Sequence, residues 1–521
     1  MHMNQPPRGR VLRWVSAASL AATACSSHTH MDTPDHIASG TMDGMDGMVA
    51  NYADTTTGDI PSFEGTTVTP SLPGTLWIPP ALTATTFNLT LGEATKALRP
   101  GATTSTLGYN GMDFWGPTLI LKKGDHVKLH VTNDLSVDTT THWHGLHLPA
   151  AMDGGPHQVI APGTTWSPEF DVMNHASLYW YHPHMHEHTK EQLAQGAGGF
   201  IIIQDDEEAK LALPRTYGVD DIPIVFSSRR FKADNQFDLQ GEYGDFLMAN
   251  GVIDATTTLP AQVVRLRLLN AETERSYMLG FADGRTFQLI GNDGGLLDAP
   301  VPLTKLMLSA GERVEILLDL SKEAPGATFA MQAFNGGFPL GFPGGEPQSS
   351  GNFGSLLNNK TFDMLKISVG PATADAITQV PQALVRNTYW TDADVTNSRT
   401  LSITDQGPGT PFSFDHASFN MDTINHVVAL NAVEKWTIKN NRTFGHVFHI
   451  HDVQFKIVAR SPGQIDAWEQ GWKDTVFVPV NASVSFIARF DDFASATDPY
   501  MYHCHMSNHE DGGLMGQFLV K

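Results

Sequence analysis

Apolar and polar residues alternate along much of this chain, and the same alternation returns three times. Val127, Leu129 and Val131 alternate with polar residues up to Asn133; Val264, Leu266 and Leu268 do so up to Asn270; Trp436 and Ile438 lead to Asn440. A strand turns its side chains over every two residues, so each run predicts a strand with one face in a core, and the recurrence predicts a repeated unit. Nine residues on from each Asn stand His142, Leu279 and His449, and two further stand His144, Phe281 and His451. The first and third units thus carry histidines where the middle unit carries apolar side chains, and no histidine occurs between His188 and His416.

Other short alternating stretches, such as Val484, Phe486, Ala488 and Phe490, are separated by Gly and Pro turns and predict antiparallel β-sandwiches, hence an all-β chain. A length of 521 residues exceeds one sandwich and suits three domains. Their boundaries are expected near residues 60 to 210, 211 to 380 and 381 to 521, the middle one a spacer without metal ligands. Glu191 to Gly196 is expected to form a short helix, and Gly336 to Gly354, dense in Gly and Pro, a long loop.

Charge and chain ends narrow the setting. Lys and Arg number 33 against 55 Asp and Glu, a net charge of -22, which argues against nucleic acid as a partner and favours cationic ligands. Residues 1 to 25 read as an export signal: Arg8, Arg10 and Arg13 precede an apolar stretch from Trp14 to Ala24 that is too short to span a bilayer. Ala22-Thr23-Ala24-Cys25 resembles a bacterial lipoprotein signal, leaving two readings: a lipid on Cys25 that anchors the chain to a membrane, or simple cleavage nearby. Either implies an exported, periplasmic or cell-envelope protein, expected to be a monomer. Residues 26 to 59 read as a flexible tether in which His28, His30, Met31, His36, Met42, Met45 and Met48 could capture copper. Only one other cysteine, Cys504, exists, so no disulfide is available once Cys25 is lipidated or removed.

The candidate chemistry lies in four histidine clusters: His142-Trp-His144-Gly, His182-Pro-His184, His446-x-x-His449-x-His451 and His503-Cys504-His505-x-x-x-His509. On a strand, both imidazoles of a His-x-His point to one face and the middle residue to the other. His503-Cys504-His505 therefore aims two imidazoles at one site and a thiolate at a second, with only backbone between. A thiolate with two imidazoles is the ligand set of a blue electron-transfer copper, and Cys504, His446 and His509 supply it. Eight histidines remain as four His-x-His pairs, enough for three further coppers and suggestive of dioxygen chemistry.

On these four clusters the chain, over about residues 60 to 521, resembles the multicopper oxidases, in particular the three-domain bacterial cuprous oxidases, laccases and bilirubin oxidases. The resemblance implies three cupredoxin-like Greek-key domains and four coppers. It assigns His446, Cys504 and His509 to the type 1 copper and His142 and His449 to the type 2 copper. The type 3 pair takes His144, His182, His184, His451, His503 and His505. Asp153, in Met152-Asp153-Gly154-Gly155, and Glu510, directly after His509, match acids that relay protons in similar bacterial enzymes; a turn-shaping role is the alternative for Asp153. Ten residues after Cys504, where the axial methionine of cuprous oxidases would stand, is Leu514, as in high-potential fungal laccases; a slip of one residue would put Met515 there instead.

The expected function is oxidation of phenols, aromatic amines or cuprous ion coupled to reduction of dioxygen to water. The alternatives are a copper-sequestering exported protein that contributes to copper tolerance, a two-domain copper nitrite reductase, and a catalytically silent structural protein. The last, as in some periplasmic cell-division proteins, should lack several ligands. His147, His157, His186 and His188 are expected to be supporting or surface groups and not ligands.

Overall fold

The computed structural model describes residues 74–405 and 412–521. The export signal, Cys25 and the Met/His tether lie outside the described residues. Within them no helix is long and apolar enough to cross a membrane.

The described chain is built almost wholly from strands, arranged in six sheets that follow one another in pairs along the sequence. One pair draws on strands between Ala81 and Gln204, a second on strands between Asp221 and Gly370, and a third on strands between Asn397 and Val520. Each pair encloses a core of alternate residues: Leu129 and Val131 in the first, Leu266 and Leu268 in the second, and Trp436, Ile438, Val484 and Phe486 in the third, all buried. The predicted strand around Val484 is Ser483–Phe490, and its Val484, Phe486, Ala488 and Phe490 are fully buried. Leu279 and Phe281 fill the middle core where the flanking units carry histidines.

The sandwiches are not wholly antiparallel as the alternation suggested. Thr86–Lys96 runs parallel to His126–Asn133, Asp221–Arg229 to Val263–Asn270, and Asn397–Thr404 to Ala432–Asn440. Parallel neighbours cannot be joined by a tight hairpin, and here the intervening chain crosses to the facing sheet before returning. That connection leaves no mark in period-two alternation. The helix expected at Glu191 begins earlier, at Thr189, and ends at Gln195, where Gly196 takes the left-handed conformation that closes it.

The threefold recurrence has a physical cause at each Asn. The strands His126–Asn133, Val263–Asn270 and Ala432–Asn440 all end on that residue. In each unit its Oδ1 accepts the backbone N–H two positions on, from Leu135, Glu272 and Arg442. Its Nδ2 donates to two carbonyls: Val137 and Ile160, Arg275 and Leu308, Phe444 and Val478. One buried amide thus ties the corner to its own loop and to a more distant segment, which fixes where the chain re-enters as His142–His144, Tyr277–Phe281 or His446–Ile450. Asn270→Ala removes three such bonds and leaves two carbonyls and an N–H unpaired. We expect a loss of about 3 kcal/mol, read as a lower unfolding midpoint in denaturant. An unchanged midpoint would show that the corner holds itself.

Candidate metal centre

The corner places histidines on short, fully buried strands. In the first sandwich His142–His144 pairs antiparallel with Ser177–His182, so that His142 lies opposite His182. In the third, His446–Ile450 pairs with Tyr500–Cys504, so that His449 lies opposite His503. Each sandwich then contributes two more histidines, from a strand or just beyond its end: His144 and His184 in the first, His451 and His505 in the third.

The two fours of histidines meet face to face. His144, His182 and His505 form one group, His184, His451 and His503 another, and His142, His144 and His449 a third, each close enough to share one metal ion. Every group mixes the first and third sandwiches. Rings stack across the interface, His142 on His451 at 3.9 Å and His144 on His449 at 3.8 Å between centroids. His446, Cys504 and His509 gather separately, with Cys504 Sγ 3.6 Å from His446 Nδ1 and 3.7 Å from His509 Nδ1. All eleven sequence-predicted ligands are therefore brought together, in two places.

The donor set fits a metal. Burial, followed by the neighbouring imidazoles, holds His144, His182, His449 and His451 well below the usual histidine range, and burial takes His184 and His505 down to about 3. Neutral rings are what a metal ligates. Most rings have one nitrogen tied outward: Nδ1 of His142 to the Asp153 carbonyl at 2.9 Å, of His182 to the Pro183 carbonyl at 2.8 Å, of His449 to the Asp474 carbonyl at 2.9 Å. The Nε2 atoms of these same three rings are buried without any hydrogen-bond partner. A polar atom buried and unpaired in this way costs free energy unless something binds it. Burial likewise pushes the Cys504 thiol up, so that the thiolate needs a bound cation to persist.

Two acids sit on outward nitrogens. Asp153 Oδ2 is 2.6 Å from His451 Nδ1, while Glu510 lies 3.3 Å from His184 Nδ1 and 3.1 Å from His503 Nδ1. Burial would raise Glu510, but the His184 and His503 imidazoles hold it well below the usual carboxylate range. Leu514 is fully buried beside Cys504: the Cys504 N–H donates to the Leu514 carbonyl at 2.9 Å, and Met515 lies opposite His503. Directly opposed residues share a face, so Leu514 stands on the Cys504 face of the sheet and Met515 on the histidine face.

Sequence reasoning missed three residues here. Asp474, just before the strand Thr475–Val478, faces His144 Nε2 at 3.3 Å, and Arg313 grips Asp474. Glu274, from the middle sandwich, lies 3.8 Å from His509 Nε2. No local motif marks any of them. Of the supporting histidines, His157 Nε2 lies 2.7 Å from Gln517 Oε1, and His186 meets the Phe419 ring edge-on. His188 is exposed and precedes the helix Thr189–Gln195.

Comparison with known proteins adds a family to this geometry. A multicopper oxidase family model matches residues 92–208, and a second model of that description matches 390–521. The "Multicopper oxidase mco" of Staphylococcus aureus is 31% identical over 429 residues, covering 81% of this chain and 85% of the relative. The "Cell division protein FtsP" of Xenorhabdus nematophila is 32% identical over 426 residues, covering 79% and 84%. Among solved structures, the laccase-like multi-copper oxidase CueO of Ochrobactrum sp., described with oxidase activity towards lignin model compounds and lignosulfonate, superposes with a TM-score of 0.76 at 29% identity, covering 86% of this chain and all of that one.

His147 joins the two histidine-bearing sandwiches next to the cluster, its Nδ1 2.7 Å from Asp452 and its Nε2 3.1 Å from Asp492. Burial works against its charge, but Asp452 beside it lifts the imidazole to about 9. Burial takes Asp452 up to about 6 despite His147, so near neutral pH both are charged. A histidine raised on folding contributes stability that is complete below its free value of 6.5 and is lost as pH climbs through about 9. His147→Gln is therefore expected to destabilise the chain by roughly 2 kcal/mol near neutral pH, with the difference fading above pH ~10. Unfolding midpoints of the two proteins across this range test it; a pH-independent difference would mean His147 is neutral.

Proposed function

The chain belongs to the multicopper oxidase family, and on that footing we propose that it is a copper-dependent oxidoreductase that takes single electrons from phenols, aromatic amines or cuprous ion and reduces dioxygen to two waters. The observation that carries this reading is that one tripeptide, His503-Cys504-His505, belongs to both groups of ligands. We assign the type 1 copper to His446, Cys504 and His509, and the type 2 copper to His142 and His449. One type 3 copper takes His144, His182 and His505 and the other His184, His451 and His503, four coppers per chain. The grouping of the buried nitrogens supports that division. The six paired sheets support three domains at 60 to 210, 211 to 380 and 381 to 521.

Bound copper supplies the one-electron redox steps that thiol and imidazole lack. The protein's own residues do the rest. Cys504 gives electrons a covalent path of a few bonds to each flanking imidazole. Four electrons and four protons are consumed per dioxygen, and we assign the proton relay to Asp153 and Glu510, a reading supported by their hydrogen-bond reach of a cluster ring. His509 packs against Phe412 at 4.2 Å between ring centroids and lies close to Glu274 of the middle sandwich. The Ochrobactrum relative's activity on lignin model compounds favours phenolic donors here.

The relatives named for cell division give a second reading, a role without turnover, and copper sequestration gives a third. The complete ligand set favours the oxidase over both. Oxygen consumption by copper-loaded protein decides, measured with a phenol and with cuprous ion. We expect uptake with at least one of them, at one dioxygen per four one-electron donors, and Cys504→Ser should abolish the visible thiolate band and the uptake together. Full copper with no uptake from either donor would overturn the oxidase, and a mutant that stays blue would overturn the ligand assignment.

Leu514 offers no thioether to the cupric state, so the reduction potential is expected to be high, the axial ligand being a lever on such sites. Leu514→Met should lower the potential and slow the oxidation of poor donors, whereas Met515→Leu should do little. Redox titration of both mutants tests the register. A large shift in Met515→Leu with none in Leu514→Met would place the methionine at the metal instead.

A further inference from the structure

We propose that Arg313, on the middle sandwich that carries no metal ligand, is a positioning residue for the histidine cluster: it locks Asp474, and Asp474 sets the tautomer of His144. This rests on the copper reading above and adds to it a residue outside the two ligand-bearing sandwiches.

Arg313 begins the strand Arg313–Asp319 and is completely buried. Its fork meets the Asp474 carboxylate squarely, Nη1 to Oδ1 and Nη2 to Oδ2, both at 2.7 Å. The remaining donors go to carbonyls: Nε to Leu178 at 3.2 Å, Nη1 to Gly311 at 3.2 Å and Nη2 to Asp293 at 2.8 Å. All five N–H bonds are thereby used, on groups from all three sandwiches, and such a side chain has one available orientation. Asp474 is held from the other side as well, its Oδ1 accepting the Thr475 hydroxyl at 2.8 Å, and Asp293, salt-bridged to Lys473 at 3.0 Å, accepts the Asp474 N–H at 3.3 Å.

What this fixed carboxylate faces is His144. Asp474 Oδ1 lies 3.3 Å from His144 Nε2, while His144 Nδ1 lies 3.2 Å from His505 Nε2. His144 is therefore turned the opposite way from His142, His182 and His449, which point Nδ1 outward and Nε2 inward. A carboxylate acceptor at Nε2 keeps the proton there and leaves the Nδ1 lone pair for the cluster. The backbone is shaped around the same contact. A Cβ on Gly145, the residue after His144, would stand 2.6 Å from both Arg313 Nη2 and Asp474 Oδ2, and Gly145 has φ +85°. A Cβ on Gly311 would stand 2.7 Å from the His505 ring, so the turn leading into Arg313 also abuts the same three-histidine group.

The experiment compares Arg313→Lys, Arg313→Met, Asp474→Asn and the Arg313→Met/Asp474→Asn double variant with the parent, all as full-length copper-loaded protein. The readouts are the visible Cys504 band, the near-ultraviolet absorption of the coupled copper pair, and copper release to a chelator. The visible band should persist in all of them, because no atom of the Cys504 group touches Arg313. Near-ultraviolet absorption should fall and copper should be released roughly 10- to 100-fold more readily in Arg313→Met and Asp474→Asn, with Arg313→Lys intermediate, since removing an outer partner of a ligating histidine weakens metal affinity by about that much. The double variant should be no weaker than the weaker single. Parental absorption and copper retention in Arg313→Met would overturn the proposal, as would losses that add in the double variant. If Arg313→Met does not fold, Arg313→Lys keeps the charge without the fork, and parental behaviour there overturns it equally. A parent with no visible band would instead overturn the copper reading itself.

Discussion

Everything in this fold answers one constraint: eight imidazoles are buried against one another in an interior that cannot solvate charge. Protonated, they would repel at ring separations near 4 to 6 Å, as the spacing between His144, His182, His449 and His505 shows. Burial therefore keeps His144, His182, His184, His449, His451 and His505 neutral, and a neutral imidazole needs a defined donor side and acceptor side. The carbonyls of Asp153, Pro183 and Asp474 and the carboxylates of Asp153, Asp474 and Glu510 define the outer side. What is left inside is a set of lone pairs with nothing in the protein to pair with, which is the electrostatic description of a cation site.

That arrangement explains why three sandwiches are needed for a site that two of them line. The first and third sandwiches each present a histidine strand pair, and facing them brings like groups together, held directly by His147 on Asp452, Asp153 on His451 and Glu510 on His184. The middle sandwich adds a second set of attractions from outside. Arg313, Asp293 and Glu312 meet Asp474 and Lys473 of the third sandwich in a fully buried network, while Arg313 reaches Leu178 of the first. A buried charge network is costly unless every member is paired, so this one tolerates few relative positions of the three sandwiches. The spacer expected from the absence of histidines is in physical terms a clamp.

Much of the site was legible because it is local. His-x-His spacing on a strand gives both rings to one face, and the structure uses all four such pairs. The recurring Asn was legible as a period, although the reason for it, one amide bonding to its own loop and to a distant segment, was not. Asp474 and Arg313 were invisible for the opposite reason: they lie 330 and 169 positions from His144, in runs whose burial pattern is that of ordinary strand ends. The parallel strand pairs escaped for the same reason, since alternation records which face a residue takes and nothing about its neighbour's direction. Long-range polar pairing is the part of a β-fold that single-sequence periodicity does not carry.

The two ligand groups differ in what surrounds them, and the difference follows from their placement on one strand. The histidine face of Tyr500–Cys504 looks into the polar interface between sandwiches, ringed by carboxylates. The Cys504 face looks into the third sandwich's core, among Phe448, Met506 and Leu514. The apolar side is dry, and the Met506 and Val447 N–H groups reach the Cys504 sulfur from the backbone; on the proposed oxidase reading it suits electron exchange with little reorganisation, and the polar side offers the acids that a proton-consuming reaction requires. On that reading, a sheet that is dry on one face and charged on the other would separate electron entry from proton entry by the thickness of a single strand, with the Cys504 side chain on one side and those of its neighbours His503 and His505 on the other.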